Sequence, residues 1–226
     1  MLILISIVFT VIGMILSYTL RSKFQRYSQV PLTNGMSGAD VAATMLRHYG
    51  INDVQITQVD GQLTDHYNPA DKTVNLSSDV YHGRNVAAAA VAAHECGHAV
   101  QHATAYSMLQ MRSALVPIVN VAASIQQYLF MMALVGMSMF HNKYILFAVL
   151  IVFGITTLFS LITLPVEFDA SRRALAWLDT SGVARGMQYD GAKDALFWAA
   201  MTYVSAALAA LLQFLYLLMK FLGSRD

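Results

Sequence analysis

Long apolar stretches alternate with polar segments along this 226-residue chain. At 1.5 Å per helical residue, each apolar stretch is about long enough to cross a hydrocarbon core of roughly 30 Å. Only residues 141–143 separate the second stretch from the third, which predicts a hairpin of two spans. The pattern predicts a mainly α-helical membrane protein with about four transmembrane helices. These predicted spans comprise residues 2–20, 114–140, 144–164 and 195–222.

The polar segment between the first two spans has its own pattern of structure. Ser37 followed by Asp40 predicts a helix with a capping box at its start. Alternation over residues 54–57 and an extended run at residues 73–77 predict two strands. A longer helix is expected from about Val86 to Ala105. We therefore expect a small α+β part between the spans.

Composition supports a bilayer as the solvent for much of the chain. Hydrophobic residues make up 57% of it and charged residues 12%, whereas soluble domains have roughly 25% charged residues. The formal net charge of +1 provides no basic field, so nucleic-acid binding is not expected. The length favours one domain, residues 1–226.

The distribution of cations predicts the orientation in the membrane. Eleven of the fourteen Lys and Arg residues lie in residues 21–113 and 165–194, which the predicted spans place on one side. By the positive-inside rule this side is the cytoplasm. The segment 165–194 itself is expected to be a polar helical excursion.

The most informative motif lies on the predicted alanine-rich helix. His94 and His98 stand four residues apart with Glu95 between them, which is an HExxH pattern. Residues i and i+4 share one helical face, so both imidazoles can bind one Zn²⁺ ion. Glu95 is then the general base that takes a proton from the attacking water and returns it to the leaving amine. This chemistry is peptide hydrolysis.

A catalytic zinc needs a third protein ligand. His102 lies about 12 Å along the helix from His94, too far for both to bind one ion. Glu167 lies on the same predicted membrane face and is the favoured ligand, with Asp169 as the alternative. Glu167 can also be explained without a metal, as a carboxylate at a helix start just after Pro165.

The motifs together resemble a known family. HECGH at residues 94–98, PVEFDASRRA at 165–174 and GQLTDHYNP at 61–69 are similar to the YugP-like bacterial membrane zinc metallopeptidases, also called neutral zinc metallopeptidase type 2. The resemblance covers nearly the whole chain and implies two ligands and the base from HECGH and the third ligand from Glu167. More distantly, the layout resembles gluzincin membrane peptidases, which include the CAAX prenyl proteases and the heat-shock-type membrane proteases.

Several supporting roles stay open at this level. Gluzincins usually place an aspartate four residues after the ligand glutamate, where this chain has Ser171, and Asp169 can pair with Arg173 instead. Cys96 should face away from the zinc as a small buried residue. Residues 74–77 fit either an edge strand that binds substrate or a structural strand. The oxyanion donor could be any of His66, Tyr67, His102 and Arg172.

We therefore expect a zinc metalloendopeptidase in a bacterial plasma membrane, with its active site facing the cytoplasm. The expected partners are the lipid bilayer and membrane-associated protein or peptide substrates. One rival is a non-catalytic zinc-binding membrane scaffold, although zinc binding alone does not require Glu95. A second rival is a channel, suggested by polar residues in the second span, but the spans have no ionisable residue near mid-membrane. The sequence carries no signal of the oligomeric state.

Overall fold

The computed structural model of the chain describes residues 1–134 and 143–223, and helices dominate it. The predicted hairpin turn at 141–143 and the last part of the second span fall largely outside these residues. The helices and strands, in chain order, are α1 (Leu2–Ser28), α2 (Gly38–His48), β1 (Gln55–Val59), β2 (His66–Asn68), β3 (Thr73–Ser77), α3 (Ser78–Tyr81), α4 (Val86–Ala103), α5 (Ser107–Leu134), α6 (Lys143–Thr180) and α7 (Met187–Gly223).

Within the described residues, four helices are long and apolar enough to cross a membrane: α1, α5, α6 and α7. This confirms the mainly helical architecture with about four candidate spans. The helices extend well beyond the predicted spans. In particular, α6 and α7 have 38 and 37 residues, so each carries a polar portion as well as an apolar one.

Pro165 does not begin a new helix, contrary to the sequence-based interpretation of Glu167 as a helix-start carboxylate. It lies inside α6, which continues from the apolar third span to Thr180. Proline in a helix interior removes one backbone hydrogen bond and usually breaks the helix, although apolar membrane helices tolerate it. Glu167 is thus an interior helical residue, and its placement there cannot be attributed to the helix dipole at a terminus.

The chain forms two compact units. The first comprises Met1–Ile15, Gln110–Leu164 and Thr202–Asp226, and the second comprises Leu16–Leu109 and Pro165–Met201. In the first unit, α6 and α7 pack through an apolar cluster that includes Leu146, Phe153 and Leu217. The single-domain assignment stays a prediction.

The second unit is built around the alanine-rich helix α4. Its first two turns are almost wholly buried, which explains the run of alanines: small side chains allow other elements to pack closely around the helix. Around α4 lie Met45 of α2, Leu76 of β3 and Trp177 of α6, all with almost no exposed surface. Ser37 caps α2 in a reciprocal capping box with Asp40, as predicted.

The second unit also contains a three-stranded sheet with the order β1-β3-β2. Strand β3 pairs parallel to β1 and antiparallel to β2, so it is the central strand. The suggestion that residues 74–77 form an edge strand for substrate is therefore wrong. Strand β2 was not predicted, because its three residues are too few to show the alternation that identifies a strand.

Candidate metal centre

Helix α4 presents His94 and His98 on one face, as the HExxH spacing predicts. Their imidazole rings lie 4.8 Å apart, centroid to centroid, and are nearly perpendicular. His98 is buried and His94 is half-buried. The two rings thus lie on adjacent turns of the same helix, partly or wholly shielded from solvent.

Helix α6 brings Glu167 to these two rings. Its Oε2 lies 3.3 Å from Nε2 of His94 and 3.7 Å from Nε2 of His98, and its side chain is buried. One potential ligand atom from each of the three residues lies within 4.8 Å of the others. Among the described residues, this is the group of His, Cys, Asp and Glu side chains that could hold a metal ion. The structure therefore brings together the three side chains that the sequence analysis named as ligands.

The geometry of this group fits zinc. Zinc bonds of about 2.0–2.2 Å that meet at a tetrahedral angle place neighbouring ligand atoms roughly 3.4 Å apart. The two separations from Glu167 Oε2, 3.3 and 3.7 Å, lie close to that value, and the ligand atoms of the two histidines lie within 4.8 Å of each other. Two imidazoles and one carboxylate also form the ligand set of many catalytic zinc sites, which leave the fourth position open.

Gly97 allows the two ligand-bearing helices to approach each other. A Cβ atom at this position would lie 2.6 Å from the carbonyl oxygen of Ala170 on α6. Ala170 lies one helical turn after Glu167, so this backbone contact is directly beside the Glu167 carboxylate. The glycine between Glu95 and His98 therefore has a packing role, because it allows α4 and α6 to approach closely beside the three-residue cluster.

Glu95, the predicted general base, is held by strand β2. Its Oε2 accepts a hydrogen bond of 2.9 Å from the backbone N–H of Tyr67, and its side chain is largely buried. The chain has only two glutamates, Glu95 and Glu167, and both lie in this region of the second unit. Strand β2 was missed in the sequence analysis, so its contact with Glu95 was missed as well.

Each histidine of the cluster has a hydrogen-bond partner at its Nδ1 atom. Ser171 Oγ lies 3.1 Å from Nδ1 of His94, so the serine occupies the position beside the ligand histidine that was in doubt from the sequence. Gln101 Oε1 lies 3.0 Å from Nδ1 of His98. Such partners orient a metal-binding imidazole. The sequence analysis missed Gln101, although a polar residue one turn after His98 in an alanine-rich helix was a usable signal.

Asp169, the alternative ligand, is absent from the three-residue cluster. Its carboxylate contacts Arg172 and Arg173, and its Oδ2 also accepts a hydrogen bond of 3.0 Å from Gln101. The predicted i+4 pairing with Arg173 is confirmed, with Nε of the arginine 2.6 Å from Oδ2.

The candidates for the oxyanion donor are engaged in other contacts. Tyr67 Oη lies 2.7 Å from Nδ1 of His102, and His66 Nδ1 lies 2.8 Å from the carbonyl oxygen of Thr64. Arg172 contacts Asp169 and is largely exposed. Of the four, Tyr67 also contacts Glu95, through its backbone. Among the described residues, neither His66 nor His102 belongs to the group that could hold a metal ion.

The electrostatic environment favours positive charge near the cluster. Burial by itself lowers the pKa of His98, but the hydrogen bond to Glu167 and the charges of Glu95 and Glu167 outweigh it and raise the pKa above its ordinary value. Burial, together with the charge of Glu95, raises the pKa of Asp65. Such shifts are expected where carboxylates are gathered in a poorly solvated site. A divalent cation bound there would compensate the negative charge of these carboxylates.

Cys96 has no role at the cluster. Its side chain is buried, and its Sγ lies 3.6 Å from the carbonyl oxygen of Ala42 on α2. Burial raises the pKa of its thiol well above the ordinary value. The prediction that Cys96 is a small buried residue is confirmed.

The chain is similar to proteins that are named as zinc metallopeptidases and membrane proteases. A family model described as "Putative neutral zinc metallopeptidase" matches residues 2–222. The chain is 39% identical over 209 residues to a Bacillus subtilis (strain 168) protein named "Putative membrane protease YugP", an alignment that covers 92% of this chain and 91% of the relative. No solved structure matches the chain.

Proposed function

The chain belongs to the family described as "Putative neutral zinc metallopeptidase", and on that premise we propose that it is a zinc-dependent membrane endopeptidase. The proposed metal ligands of one Zn²⁺ ion are His94, His98 and Glu167. The observation that carries the proposal is the approach of Glu167 Oε2 to both imidazole Nε2 atoms, at 3.3 and 3.7 Å.

Zinc at this position would act as a Lewis acid that polarises the scissile carbonyl and lowers the pKa of water toward about 7. Glu95 is the proposed general base. It takes the proton that water loses as the oxygen attacks the peptide carbonyl carbon, and it returns this proton to the leaving amine nitrogen as the C–N bond breaks. The backbone N–H of Tyr67 holds one carboxylate oxygen of Glu95, which keeps the base in a fixed orientation.

The proposed substrates are membrane proteins or peptides close to the bilayer. Four helices in the described part of the chain are apolar enough to span a membrane, and the Bacillus subtilis relative is named a membrane protease. The ligands and Glu95 lie on the polar parts of the chain, residues 29–112 and 165–194. We propose that these parts face the cytoplasm of a bacterial cell, because they and the end of the first span contain most of the Lys and Arg residues.

The peptidase proposal is tested by separating metal binding from hydrolysis. Purified protein in detergent is analysed for bound metal and incubated with a quenched fluorescent peptide library anchored in liposomes. Glu167→Ala should lose zinc, whereas Glu95→Gln should retain zinc and lose hydrolysis. Asp190→Asn, an acid-to-amide change at an exposed residue of α7, is the matched control and should retain both.

A scaffold would give a different result. In that case Glu95→Gln would leave the cellular function intact, and no variant would change peptide cleavage. Full hydrolysis by zinc-free protein would contradict the metallopeptidase proposal.

The orientation is tested separately. The chain has one cysteine, so Asn52→Cys in a Cys96→Ala background provides a single exposed thiol in the second unit. A membrane-impermeant maleimide should label it in inverted membrane vesicles and not in intact cells. Labelling in intact cells would place the site outside the cytoplasm.

A further inference from the structure

Gln101 is a fully buried amide that contacts both ligand-bearing helices. It lies on α4 one turn after His98, and its exposed surface is 0%. Its Oε1 lies 3.0 Å from Nδ1 of His98. Its Nε2 lies 2.8 Å from the carbonyl oxygen of Val166 and 3.0 Å from Oδ2 of Asp169. All three partners sit at or next to the proposed metal-binding segments.

The chemistry of these partners fixes the orientation of the amide. A backbone carbonyl can only accept a hydrogen bond, and so can a carboxylate that two guanidinium groups contact. The NH₂ group of Gln101 must therefore face Val166 and Asp169, which leaves its oxygen facing His98. An amide oxygen can only accept. It follows that Nδ1 of His98 carries a hydrogen, so the lone pair of the neutral imidazole is on Nε2.

We propose that Gln101 is a positioning residue that holds His98 as the Nδ1–H tautomer, with the Nε2 lone pair directed toward the metal. This inference rests on the ligand set of the proposed function. The same amide donates to the carbonyl of Val166, the residue before Glu167. One side chain thus orients one ligand and anchors the backbone beside another.

The partner of His94 lacks this directionality. Ser171 Oγ lies 3.1 Å from Nδ1 of His94, but a hydroxyl can either donate or accept. Ser171 therefore keeps the ring in place without selecting its tautomer. The two ligand histidines are consequently controlled in different ways, and removal of Gln101 should have the larger effect on metal binding.

The test uses two substitutions of similar size in the full-length protein. Gln101→Met removes both the acceptor and the donor. Gln101→Glu keeps an acceptor toward His98 but loses the donor toward Val166 and Asp169. Gln213→Met is the matched control, because Gln213 is also a helical glutamine that donates a hydrogen bond, to Ser6 in the first unit.

The first readout is the tautomer of His98 in metal-free protein at alkaline pH, from long-range proton–nitrogen correlation spectra of histidine-labelled samples. The His98 signals are assigned by their loss in His98→Ala. The wild type and Gln101→Glu should show the Nδ1–H tautomer, and Gln101→Met should show a mixture. A pure Nδ1–H signal in Gln101→Met would overturn the proposal, whereas a change in packing alone would not alter the tautomer selectively.

The second readout is zinc affinity, measured by competition with a fluorescent chelator. We expect Gln101→Met to bind zinc about 10–100-fold more weakly, Gln101→Glu to recover part of that loss, and Gln213→Met to match the wild type. Gln101→Met within twofold of the wild type, or Gln101→Glu no better than Gln101→Met, would contradict the positioning role. If Gln101→Met does not fold, Gln101→Glu decides the question by whether His98 keeps its tautomer.

Failure of the proposed function would look different. If His98→Ala bound zinc as well as the wild type, the proposed ligand set would be wrong. The tautomer experiment in metal-free protein would still report whether Gln101 controls His98.

Discussion

Gly97→Ala is the substitution that most directly tests how the metal centre is assembled. The added Cβ would lie 2.6 Å from the carbonyl oxygen of Ala170 and 3.1 Å from its carbonyl carbon and Cα. An ordinary carbon–oxygen contact is roughly 3.3 Å or longer, so α4 and α6 must separate by about 0.7 Å at this point. The three nearest atoms that the methyl group meets all belong to the backbone of Ala170, so no side-chain rotation can relieve these contacts.

Two effects on stability oppose each other. Replacing glycine by alanine in a helix interior gains about 1 kcal/mol in helix propensity. Overpacking a tight contact costs about 1–3 kcal/mol. The net change in the free energy of unfolding should thus be small, between about 0 and 2 kcal/mol in the destabilising direction. The variant is expected to fold.

Metal binding should be affected more strongly than folding. Glu167 is one helical turn before Ala170, so a displacement of α6 at Ala170 also moves the carboxylate away from His94 and His98. The separations of 3.3 and 3.7 Å are already close to the tetrahedral value of roughly 3.4 Å, so a further increase moves the carboxylate out of zinc-binding distance. A metal site tolerates about 0.5 Å of error in ligand position. We therefore expect zinc affinity to fall at least about tenfold, which corresponds to about 1.4 kcal/mol.

The assay is zinc titration against a fluorescent chelator, together with thermal unfolding of the metal-free protein. Gly13→Ala is the matched control: it makes the same change within helix α1, where an added Cβ has no neighbour within 4 Å. The control should bind zinc normally. If Gly97→Ala bound zinc within twofold of the wild type while folding normally, the close approach of α4 and α6 would not be what sets the ligand geometry.

Three further predictions follow from individual contacts. Ser171→Ala removes the hydroxyl 3.1 Å from Nδ1 of His94 and should weaken zinc binding about tenfold, as measured by chelator competition. An unchanged affinity would show that this contact does not orient the ring. Cys96 should resist alkylation by iodoacetamide in the native protein, because burial raises the pKa of its thiol, and it should react only on unfolding. Labelling is followed by mass spectrometry. Fast labelling of the native protein would contradict the packing of α4 against α2. Ser37→Ala should destabilise the protein by about 1 kcal/mol in denaturant titrations, because it removes the α2 cap. The Ser37 hydrogen bond lowers the pKa of Asp40, so the contribution of this pair is present above the ordinary aspartate pKa of about 3.9 and is lost as pH falls through the lowered value. Stability should accordingly fall less steeply with acidification in Ser37→Ala than in the wild type.

The sequence by itself determined the features that depend on local periodicity. The length of the apolar stretches predicted the four candidate spans, and the HExxH spacing placed His94 and His98 on one face of α4. The capping box at Ser37 was identified for the same reason, since Ser37 and Asp40 are close along the chain. Such features follow from helix geometry, which is the same whatever surrounds the helix.

The tertiary structure decided everything that depends on two segments meeting. The apposition of Glu167 with the two histidines, the contact of Ser171 with His94 and the dual hydrogen bonding of Gln101 all join α4 to α6 across more than sixty residues of sequence. Pro165 was interpreted as a helix start because a proline usually ends or begins a helix, but here the helix continues through it. Strand β2 was not predicted, because its pairing with β3, and not a pattern in its own three residues, makes it a strand. In each case the deciding interaction is between groups distant in sequence, and no local pattern encodes the distance between them.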